Sequence, residues 1–450
     1  MLSLALIAVV ESRAASPKKP NVIVLMVDDL GVGDLGFSGA KDIPTPHLDR
    51  LASEGIIFRN GYAYPMCAPS RAAFLSGRHP EKIGFEDNRP GDSPHFGMNL
   101  SVKTVANILH DVGYATGLLG KWHVGRGLNN EYSPWNRGFD EFLGYYGAFG
   151  TFVNPKLTRQ TGEEKTVEGY STDIYTEAAC DFIQRHKDQP FFLNVAFNAA
   201  HLVQAAKPED LAKFQYIENP KRRLAAAIIS NLDVNIGRIA ARLEELHLDR
   251  NTLLVFVSDN GGEPPILGTM NGPLRGKKFD LYEGGIRVPF FVRWADGLPA
   301  GKTSDALVSM IDLFPTIAAA AGAKVPKGID SVNLLPYLRG KTSKKPHNTL
   351  FWRTTEHAAL KKMRQRTNAV PPVYVPHISA VREGSWKLLA FDDAGKNPRF
   401  ELYDLASDPS EQNNLSEKQP KVVRKLSYKL DVWKTTLQPQ IIPPIKKPQT

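Results

Sequence analysis

The run NVIVLMV at residues 21–27 constrains the fold of this chain more than any other segment. It is almost continuously apolar and rich in β-branched residues, whereas a strand with one wet face alternates apolar and polar residues. The pattern therefore predicts a strand that is buried on both faces, as in a parallel sheet. The run ends at Asp28 and Asp29, so this buried strand carries acidic residues at its carboxyl end.

Strand and helix patterns alternate along most of the chain. Further strands are predicted at residues 114–119, 191–197, 253–258 and 288–294, and helices at residues 45–55, 104–112, 221–246 and 312–321. This alternation predicts an α/β layer fold, with a large mixed, mostly parallel central sheet flanked by helices. Ligands of such sheets sit at the carboxyl ends of the strands, where Asp259 and Asn260 follow one predicted strand.

A change of composition divides the chain. Residues 324–346 are rich in Pro, Gly, Lys and Ser, which is typical of a domain boundary. We therefore predict a large N-terminal domain at residues 20–330 and a smaller α+β subdomain at residues 345–437, with an antiparallel sheet and a closing helix. The predicted strands and helix of this subdomain lie at residues 377–391, 399–405 and 418–434. Residues 438–450 are predicted to be a disordered tail, because they are rich in Pro and Lys.

The first residues have the pattern of a secretory signal. Residues 2–10 are apolar except for Ser3, which predicts a signal peptide at residues 1–14 and a periplasmic or secreted protein. A buried N-terminal segment is the alternative, because no Lys or Arg precedes the apolar run. The run is too short to cross a bilayer, and no later run reaches about 18 apolar residues, so no membrane span is predicted.

The net charge is +9, from 56 Lys and Arg against 47 Asp and Glu. A basic chain attracts anionic ligands such as acidic polymers, nucleic acids and membrane surfaces. No nucleic-acid-binding module and no interleaved basic and aromatic stripe is recognisable, so no nucleic-acid partner is predicted.

Cys67 opens the segment CAPSRAAFLSGR at residues 67–78. This segment resembles the signature of type I sulfatases of the alkaline phosphatase superfamily, C-x-P-S-R-x-x-x-L-[ST]-G-R, and every fixed position is present. The resemblance implies that a separate maturation enzyme oxidises Cys67 to formylglycine (3-oxoalanine), whose hydrated aldehyde is the nucleophile. Without the resemblance, Cys67 is a buried thiol, a thiol nucleophile or one end of a disulfide with Cys180.

A hydrated aldehyde suits sulfate ester hydrolysis because one carbon carries two hydroxyl groups. One hydroxyl attacks sulfur and forms a covalent sulfate, and the other then loses its proton and expels the sulfate while the aldehyde re-forms. A serine would serve badly, because it has a single hydroxyl.

Two polar pairs end predicted strands: Asp28 with Asp29, and Asp259 with Asn260. These side chains offer only oxygen ligands, which hard cations such as calcium and magnesium prefer. The resemblance implies that all four, together with the modified Cys67, hold one Ca²⁺, the usual ion of the family. Two ordinary turns before glycines are the alternative interpretation.

The sequence GKWH at residues 120–123 matches another motif of the family. The match implies that Lys121 holds the nucleophile or the sulfate, and that His123 is the base for the second hydroxyl. Without the match, a lone Lys or His is more often a surface residue.

Lys278 precedes the sequence YEGG at residues 282–285, as a lysine does in the family. That lysine contacts both the sulfate and the leaving oxygen, which stabilises developing negative charge. A solvated pair of Lys277 with Lys278 is the alternative. Arg71 lies about one helical turn after Cys67, so it is expected to brace the same side of the site.

His201 matches a family histidine that helps to protonate the leaving alcohol, although the proline common two residues later is absent. A structural histidine is the alternative. Glu86 and Asn88 lie in the segment GFEDN at residues 84–88. It resembles a segment of polysaccharide-directed members of the family, which implies contacts to sugar hydroxyls, but an ordinary turn has the same composition.

The sequence thus predicts a sulfatase, a sulfuric ester hydrolase that acts on a sulfated carbohydrate. One alternative is a phosphonate or phosphate ester hydrolase of the same superfamily, although Asp259 with Asn260 in place of an Asp-His pair favours sulfate. Another is an inactive homologue that binds anionic glycans. The sugar and the oligomeric state are not predicted.

Overall fold

A computed structural model describes residues 19–88, 96–127, 129–355, 377–392 and 398–439 of the chain. The predicted signal peptide at residues 1–14 lies outside the described residues, as do residues 440–450 of the predicted tail.

Strands and helices are numbered in chain order. The strands are β1 Asn21–Val27, β2 Ile56–Phe58, β3 Gly61–Tyr62, β4 Ala115–Lys121, β5 Glu141–Tyr145, β6 Lys156–Arg159, β7 Glu164–Thr166, β8 Phe191–Ala196, β9 Thr252–Ser258, β10 Phe290–Arg293, β11 Lys302–Ser304, β12 Val308–Ser309, β13 Thr349–Thr355, β14 His377–Glu383, β15 Trp386–Phe391 and β16 Arg399–Asp404. The α-helices are α1 Pro46–Ser53, α2 Cys67–Ser76, α3 Val105–His110, α4 Ser171–Arg185, α5 Pro208–Ala212, α6 Pro220–Glu245, α7 Pro264–Leu267, α8 Glu283–Ile286, α9 Leu313–Ala321, α10 Leu335–Leu338 and α11 Pro420–Lys434. Each strand and helix predicted before residue 324 has a counterpart whose ends differ by two residues or fewer.

The large sheet contains ten strands in the order β11-β2-β10-β9-β1-β8-β4-β5-β6-β7. Its five central strands, β9 to β5, are parallel, whereas β10, β6 and β7 run antiparallel to their neighbours. The predicted mixed, mostly parallel sheet is therefore confirmed. Strand β1 lies between β8 and β9, and each of its residues is buried because helices cover both faces of the sheet.

The C-terminal sheet has four antiparallel strands in the order β13-β14-β15-β16. The segment predicted at residues 377–391 forms two of them, joined by a tight turn at Gly384, whose φ of 59° suits glycine. Helix α11 covers one face of this sheet, and the other face packs into the core of the large sheet. There the indole nitrogen of Trp352 donates to the carbonyl of Ala63 at 3.0 Å. The predicted boundary at residues 330–345 stays a prediction, but the two parts share one core.

Helix α6 is the one helix among the described residues that is long and apolar enough to cross a membrane. It is a core helix in this fold, because most of it is buried against α1, α4 and the sheet.

Glu81, five residues after the end of α2, connects this part of the chain to the C-terminal sheet. Its Oε1 accepts the backbone N–H of Arg353 at 2.9 Å, while its Oε2 is buried and has no hydrogen-bond partner among the described residues. Burial raises the pKa of Glu81 to about 8, although the hydrogen bond from Arg353 opposes the shift. The carboxyl of Glu81 is therefore expected to be protonated in the folded protein below about pH 8.

A Glu81→Gln variant tests this pKa. The raised pKa stabilises the fold of the natural protein below the ordinary pKa of glutamate, and that contribution is lost as pH rises towards 8. Between pH 4.5 and about pH 8, we expect the free energy of unfolding of the natural protein to fall by about 1.4 kcal/mol per pH unit relative to that of Glu81→Gln. Urea denaturation at pH 5, 6, 7 and 8 measures the difference. Glu417→Gln, at an exposed glutamate, is the control, and parallel pH profiles for Glu81→Gln and the natural protein would contradict the assignment.

Candidate active site

Four neighbouring parallel strands deliver polar side chains to one edge of the large sheet. In the spatial order β9, β1, β8 and β4, they are Asp259 with Asn260, then Asp28 with Asp29, then His201, and finally Lys121 with His123. Because the carboxyl ends of parallel strands meet at the same edge, residues far apart in sequence come together there. The structure therefore gathers the strand-end residues that the sequence singled out.

Cys67 is the first residue of α2, and its side chain joins this cluster. Its Sγ lies 3.3 Å from Oδ1 of Asp28, 3.8 Å from Oδ1 of Asp29 and 3.2 Å from Nζ of Lys278. The amino end of a helix carries positive partial charge, so negative charge that develops on side chain 67 is stabilised there.

The other residues of the CAPSR segment build the start of this helix. Pro69 lies in the first turn, where the missing N–H breaks no helical hydrogen bond. The Ser70 hydroxyl accepts from the N–H of Tyr64 at 3.0 Å and so fastens the preceding loop. Gly77 ends the helix with a φ of 65°, a left-handed conformation that favours glycine.

Three buried carboxylates face three buried cations. Arg71 donates to Asp259 at 2.8 and 3.1 Å, Lys121 to Asp28 at 2.7 Å, and Lys278 to Asp29 at 2.9 Å. None of these side chains is more than 3% exposed. Full pairing of this kind is what buried charges require, because an uncompensated charge in the interior is costly.

Burial and neighbouring charges push the pKa values of this cluster apart. Burial opposes ionisation of Asp28, but the charge of Lys121 holds its pKa well below the usual range. Burial and repulsion from Asp28 raise the pKa of Asp259 to about 6, although Arg71 opposes the shift. Burial, with repulsion from Asp259, raises the pKa of the Cys67 thiol well above its ordinary value. An unmodified Cys67 is therefore a neutral thiol, which is a poor nucleophile.

The cluster fits a hard cation. Asp28, Asp29, Cys67 and His201 bring ligand atoms within 4.8 Å of one another. Asn260 donates through Nδ2 to Asp29 at 2.7 Å, which leaves its buried Oδ1 without a hydrogen-bond partner among the described residues. A buried amide oxygen with free lone pairs beside several carboxylates is suited to a cation that binds oxygen ligands.

The two predicted histidines occupy different positions. Nε2 of His201 lies 3.6 Å from Oδ2 of Asp29, so the loop reaches the site although it lacks the family's proline. Burial lowers the pKa of His201, although Asp28 opposes the shift. His123 is fully buried after β4 with a φ of 56°, and Asp29 has a φ of 63°. Such conformations are uncommon for residues other than glycine and concentrate at functional sites.

Glu86 and Asn88 lie beside the nucleophile helix. Glu86 is 2% exposed, and Arg353 donates to both of its carboxylate oxygens at 2.7 and 2.8 Å. The side-chain oxygen of Asn88 accepts the N–H of Ala68 at 3.0 Å, in the first turn of α2. Both side chains thus stabilise the framework of the site. Because both carboxylate oxygens of Glu86 already accept from Arg353, Glu86 would act on a sugar by positioning Arg353.

The sequence did not single out the residues that hold Lys278 in place. Glu283 starts α8 and bonds Lys387 at 2.9 Å and the Tyr62 hydroxyl at 2.7 Å, all of them buried. A Cβ on Gly284 would lie 2.5 Å from the carbonyl oxygen of Gly276, so the YEGG segment packs directly against the loop that carries Lys278. The Glu-Gly-Gly string was the only sequence signal, since Lys387 lies more than one hundred residues away.

Comparison with known proteins identifies the family of this chain. Residues 20–323 match the family model Sulfatase, and residues 275–436 match the model N-sulphoglucosamine sulphohydrolase, C-terminal. The chain is 35% identical to human N-acetylgalactosamine-6-sulfatase over 74% of this chain and 68% of that protein. It is 30% identical to N-acetylgalactosamine-6-O-sulfatase of Bacteroides thetaiotaomicron, over 94% and 95% of the two chains.

A solved structure shows the same architecture. The crystal structure of Ps i-CgsB superposes with a TM-score of 0.84 at 32% identity and covers 94% of each chain. The fold, the strand-end cluster and these matches place the chain in the sulfatase family. It is a sulfuric ester hydrolase, as the sequence predicted.

The buried ion pair of Arg71 with Asp259 can be compared with an exposed pair of similar geometry. Arg59 also makes two hydrogen bonds to one carboxylate, that of Asp305, but both side chains are more than half exposed. We expect Arg71→Met to lower the free energy of unfolding by about 3 to 5 kcal/mol, because it leaves Asp259 buried without its main partner. Arg59→Met is expected to cost about 1 kcal/mol or less. Denaturant unfolding in the presence of a chelator measures both, and equal losses would contradict this account.

Proposed function

We propose that this sulfatase removes sulfate from carbohydrates, with a nucleophile made from Cys67 and one bound Ca²⁺. One observation carries the proposal. The first residue of α2 is Cys67, and it lies within hydrogen-bonding range of Asp28 and Lys278 in a cluster of three carboxylates and three cations. A formylglycine at position 67, made by a maturation enzyme that reads the CAPSR segment, would supply the hydrated aldehyde that attacks sulfur.

The cations of the cluster match the charge of the substrate. Lys278 donates to side chain 67 at 3.2 Å, and Lys121 donates to Asp28, which lies 3.3 Å from Sγ of Cys67, so each lysine is placed to hold a sulfate oxygen there. Lys278 is also suited to stabilise the leaving oxygen. Arg71 adds a further positive charge and donates a hydrogen bond to Asp259. Both lysines stay charged, because the attraction of the carboxylates outweighs burial and raises the pKa of each above its ordinary value.

The two histidines are assigned to proton transfer. We assign His123 as the base that takes a proton from residue 67, because it follows Lys121 at the end of β4. We assign His201 as the group that protonates the leaving alcohol, because its Nε2 lies 3.6 Å from Asp29 and a ring nitrogen lies within 4.8 Å of Sγ of Cys67. These are the roles that the resemblance to the family implies.

Asp28, Asp29, Asp259, Asn260 and side chain 67 are proposed to hold the Ca²⁺. The free amide oxygen of Asn260 and the three carboxylates supply oxygen ligands. Three carboxylates balance three fixed cations, so the bound ion adds two net positive charges to the cluster. When bound, Ca²⁺ polarises the sulfate and makes the hydroxyl at position 67 more acidic.

Two features of the surroundings support a carbohydrate as the alcohol part of the substrate. Phe149 is 63% exposed, and its ring centroid lies 5.3 Å from that of His201. Since His201 is assigned to protonate the leaving alcohol, the ring of Phe149 offers an apolar surface next to the leaving group. Asn88 and the pair of Arg353 with Glu86 add polar groups near the amino end of α2. Among relatives, two N-acetylgalactosamine-6-sulfatases and a complex of Ps i-CgsB with k-i-k-neocarrahexaose point the same way.

Release of sulfate from a panel of sulfated mono- and oligosaccharides tests the proposed substrate, with an aryl sulfate and matched phosphate esters beside it. We expect a sugar sulfate to give the highest kcat/KM, and Cys67→Ala to abolish turnover because it removes the nucleophile. Mass measurement of the peptide with position 67 shows whether the aldehyde is present. Activity on aryl sulfate alone would contradict the carbohydrate assignment, and a preference for phosphate would favour the phosphate ester hydrolase alternative.

A leaving-group comparison tests His201. We expect His201→Ala to lower kcat/KM on a sugar sulfate by about 100-fold or more, because the alcohol leaves poorly without a proton. The loss on 4-nitrophenyl sulfate is expected to be much smaller, since nitrophenolate needs no proton to leave. His110→Ala, at an exposed histidine, is the control. Equal losses of His201→Ala on both substrates would exclude a general acid role.

Thermal unfolding with and without Ca²⁺ tests the metal site. We expect Ca²⁺ at about 100 times its Kd to stabilise the metal-free protein by about 2.7 kcal/mol and to raise its Tm. Asn260→Ala is expected to lose most of this rise, because it removes an oxygen ligand. Asn219→Ala removes the cap of α6 and lowers Tm itself, but it is expected to keep the rise with Ca²⁺. A full rise in Asn260→Ala would show that the ion binds elsewhere.

Export to the periplasm or the cell exterior is proposed from the apolar run at residues 2–10 alone. It would place the enzyme where sulfated polysaccharides are found.

A further inference from the structure

A cavity of about 930 Å³ lies at the junction of the large sheet and the C-terminal sheet. It is lined by side chains of both parts, among them Arg59, Asn60, Arg287, Lys345, Arg382 and Ser385. A second cavity of about 470 Å³ shares Asp305 and Lys345 with it and continues along β11 past Lys302. We call the two cavities together the basic groove. None of the described active-site residues lines it.

Basic side chains outnumber acidic ones in the basic groove. Five basic side chains, Arg59, Arg287, Lys302, Lys345 and Arg382, face two carboxylates, Asp305 and Glu383. Glu383 is already paired with Lys425 and Lys429 of α11, and Asp305 with Arg59. Arg287 and Arg382 each lie 3.7 Å from the buried carboxylate of Glu283. Lys302 and Lys345 are exposed, and neither has a carboxylate within 4.0 Å in the described part of the chain. Lys302 and Lys345 therefore present the uncompensated positive charge of the groove to an incoming anion.

The first cavity of the basic groove lies at the same edge of the sheet as the active site, and the second extends along β11 towards its amino end. Strand β2 runs in the direction of β1, because it is antiparallel to β10, which is antiparallel to β9. Arg59 and Asn60 follow β2 at this edge, as Asp28 follows β1. Three strand spacings separate β2 from β1, which is a lateral distance of about 14 Å. An extended polymer longer than this distance would contact both places.

Neutral groups of the groove suit a sugar chain. Asn60, Asn348 and Ser385 offer amide and hydroxyl groups, and Tyr337 adds a half-buried ring beside Lys302. Polar groups set among apolar surface are the usual lining of a binding site for such a ligand.

We propose that the basic groove binds a second stretch of an anionic polysaccharide whose sulfated sugar occupies the active site. This proposal rests on the proposed carbohydrate sulfatase function and adds a second site of contact to it. Two linked contacts raise the effective concentration of the polymer at the active site, so the groove increases affinity for long chains alone.

Charge reversal of the two free lysines tests the groove. In Lys302→Glu/Lys345→Glu we expect KM for a long sulfated polysaccharide to rise about tenfold, with kcat unchanged. KM for a sulfated monosaccharide from the same polymer is expected to stay within about twofold, because it cannot span both sites. The matched control is Lys324→Glu/Lys421→Glu, which changes the net charge equally at two other exposed lysines. No change in KM for the polymer, or an equal change in both double variants, overturns the proposal.

Direct binding separates this proposal from the proposed function. Calorimetric titration of the full chain carrying Cys67→Ala with dextran sulfate measures polyanion binding without turnover. We expect the groove double variant to lose about tenfold in affinity, while the control double variant keeps it. Unchanged affinity for dextran sulfate in the groove variant overturns the groove. If the natural enzyme releases sulfate from no carbohydrate, the proposed substrate fails, and this titration still decides whether the groove binds polyanions.

Discussion

The pairing of three buried carboxylates with three buried cations at the strand ends is the constraint on which the rest of this structure depends. A single unpaired charge at this depth would cost several kcal/mol, so each partner has to be present and correctly placed. Asp28, Asp29 and Asp259 come from two neighbouring strands, while Arg71, Lys121 and Lys278 come from a helix, a third strand and a loop. The strand order β9-β1-β8-β4 and the position of α2 bring these partners together.

The support for Lys278 extends the same principle into the C-terminal part of the chain. A Cβ on Gly261 would lie 1.8 Å from the carbonyl oxygen of Gly284, so the loop after β9 and the start of α8 are in direct backbone contact. Glu283 is held by Lys387 of the C-terminal sheet, and Glu411 accepts its backbone N–H at 2.6 Å. The C-terminal sheet is therefore part of the framework that positions the cations around sulfate.

Sequence patterns predicted the central sheet and the site well because both depend on strong local signals. Residues 22–27 are apolar without interruption, and the polar pairs lie directly at the strand ends. The strands β2, β7 and β11 were not predicted, since three residues carry little periodicity. The antiparallel direction of β10 was not predicted either. The chain between residues 259 and 289 stays at the catalytic edge, whereas a parallel strand would need a long helix that returns the chain to the opposite edge.

The sequence by itself determined the class of enzyme. The CAPSR segment, the strand-end carboxylates and the GKWH segment are each contiguous, and their chemistry can be read from neighbouring residues. Only the tertiary structure decided which charged groups form ion pairs. The pairs are Arg71 with Asp259, Arg353 with Glu86, and Lys387 with Glu283. These partners lie between 104 and 267 residues apart, and no local pattern encodes such a pairing. Buried charges are satisfied by whatever the folded chain brings within reach, so the pairing became visible only when the strands and the two sheets were in place.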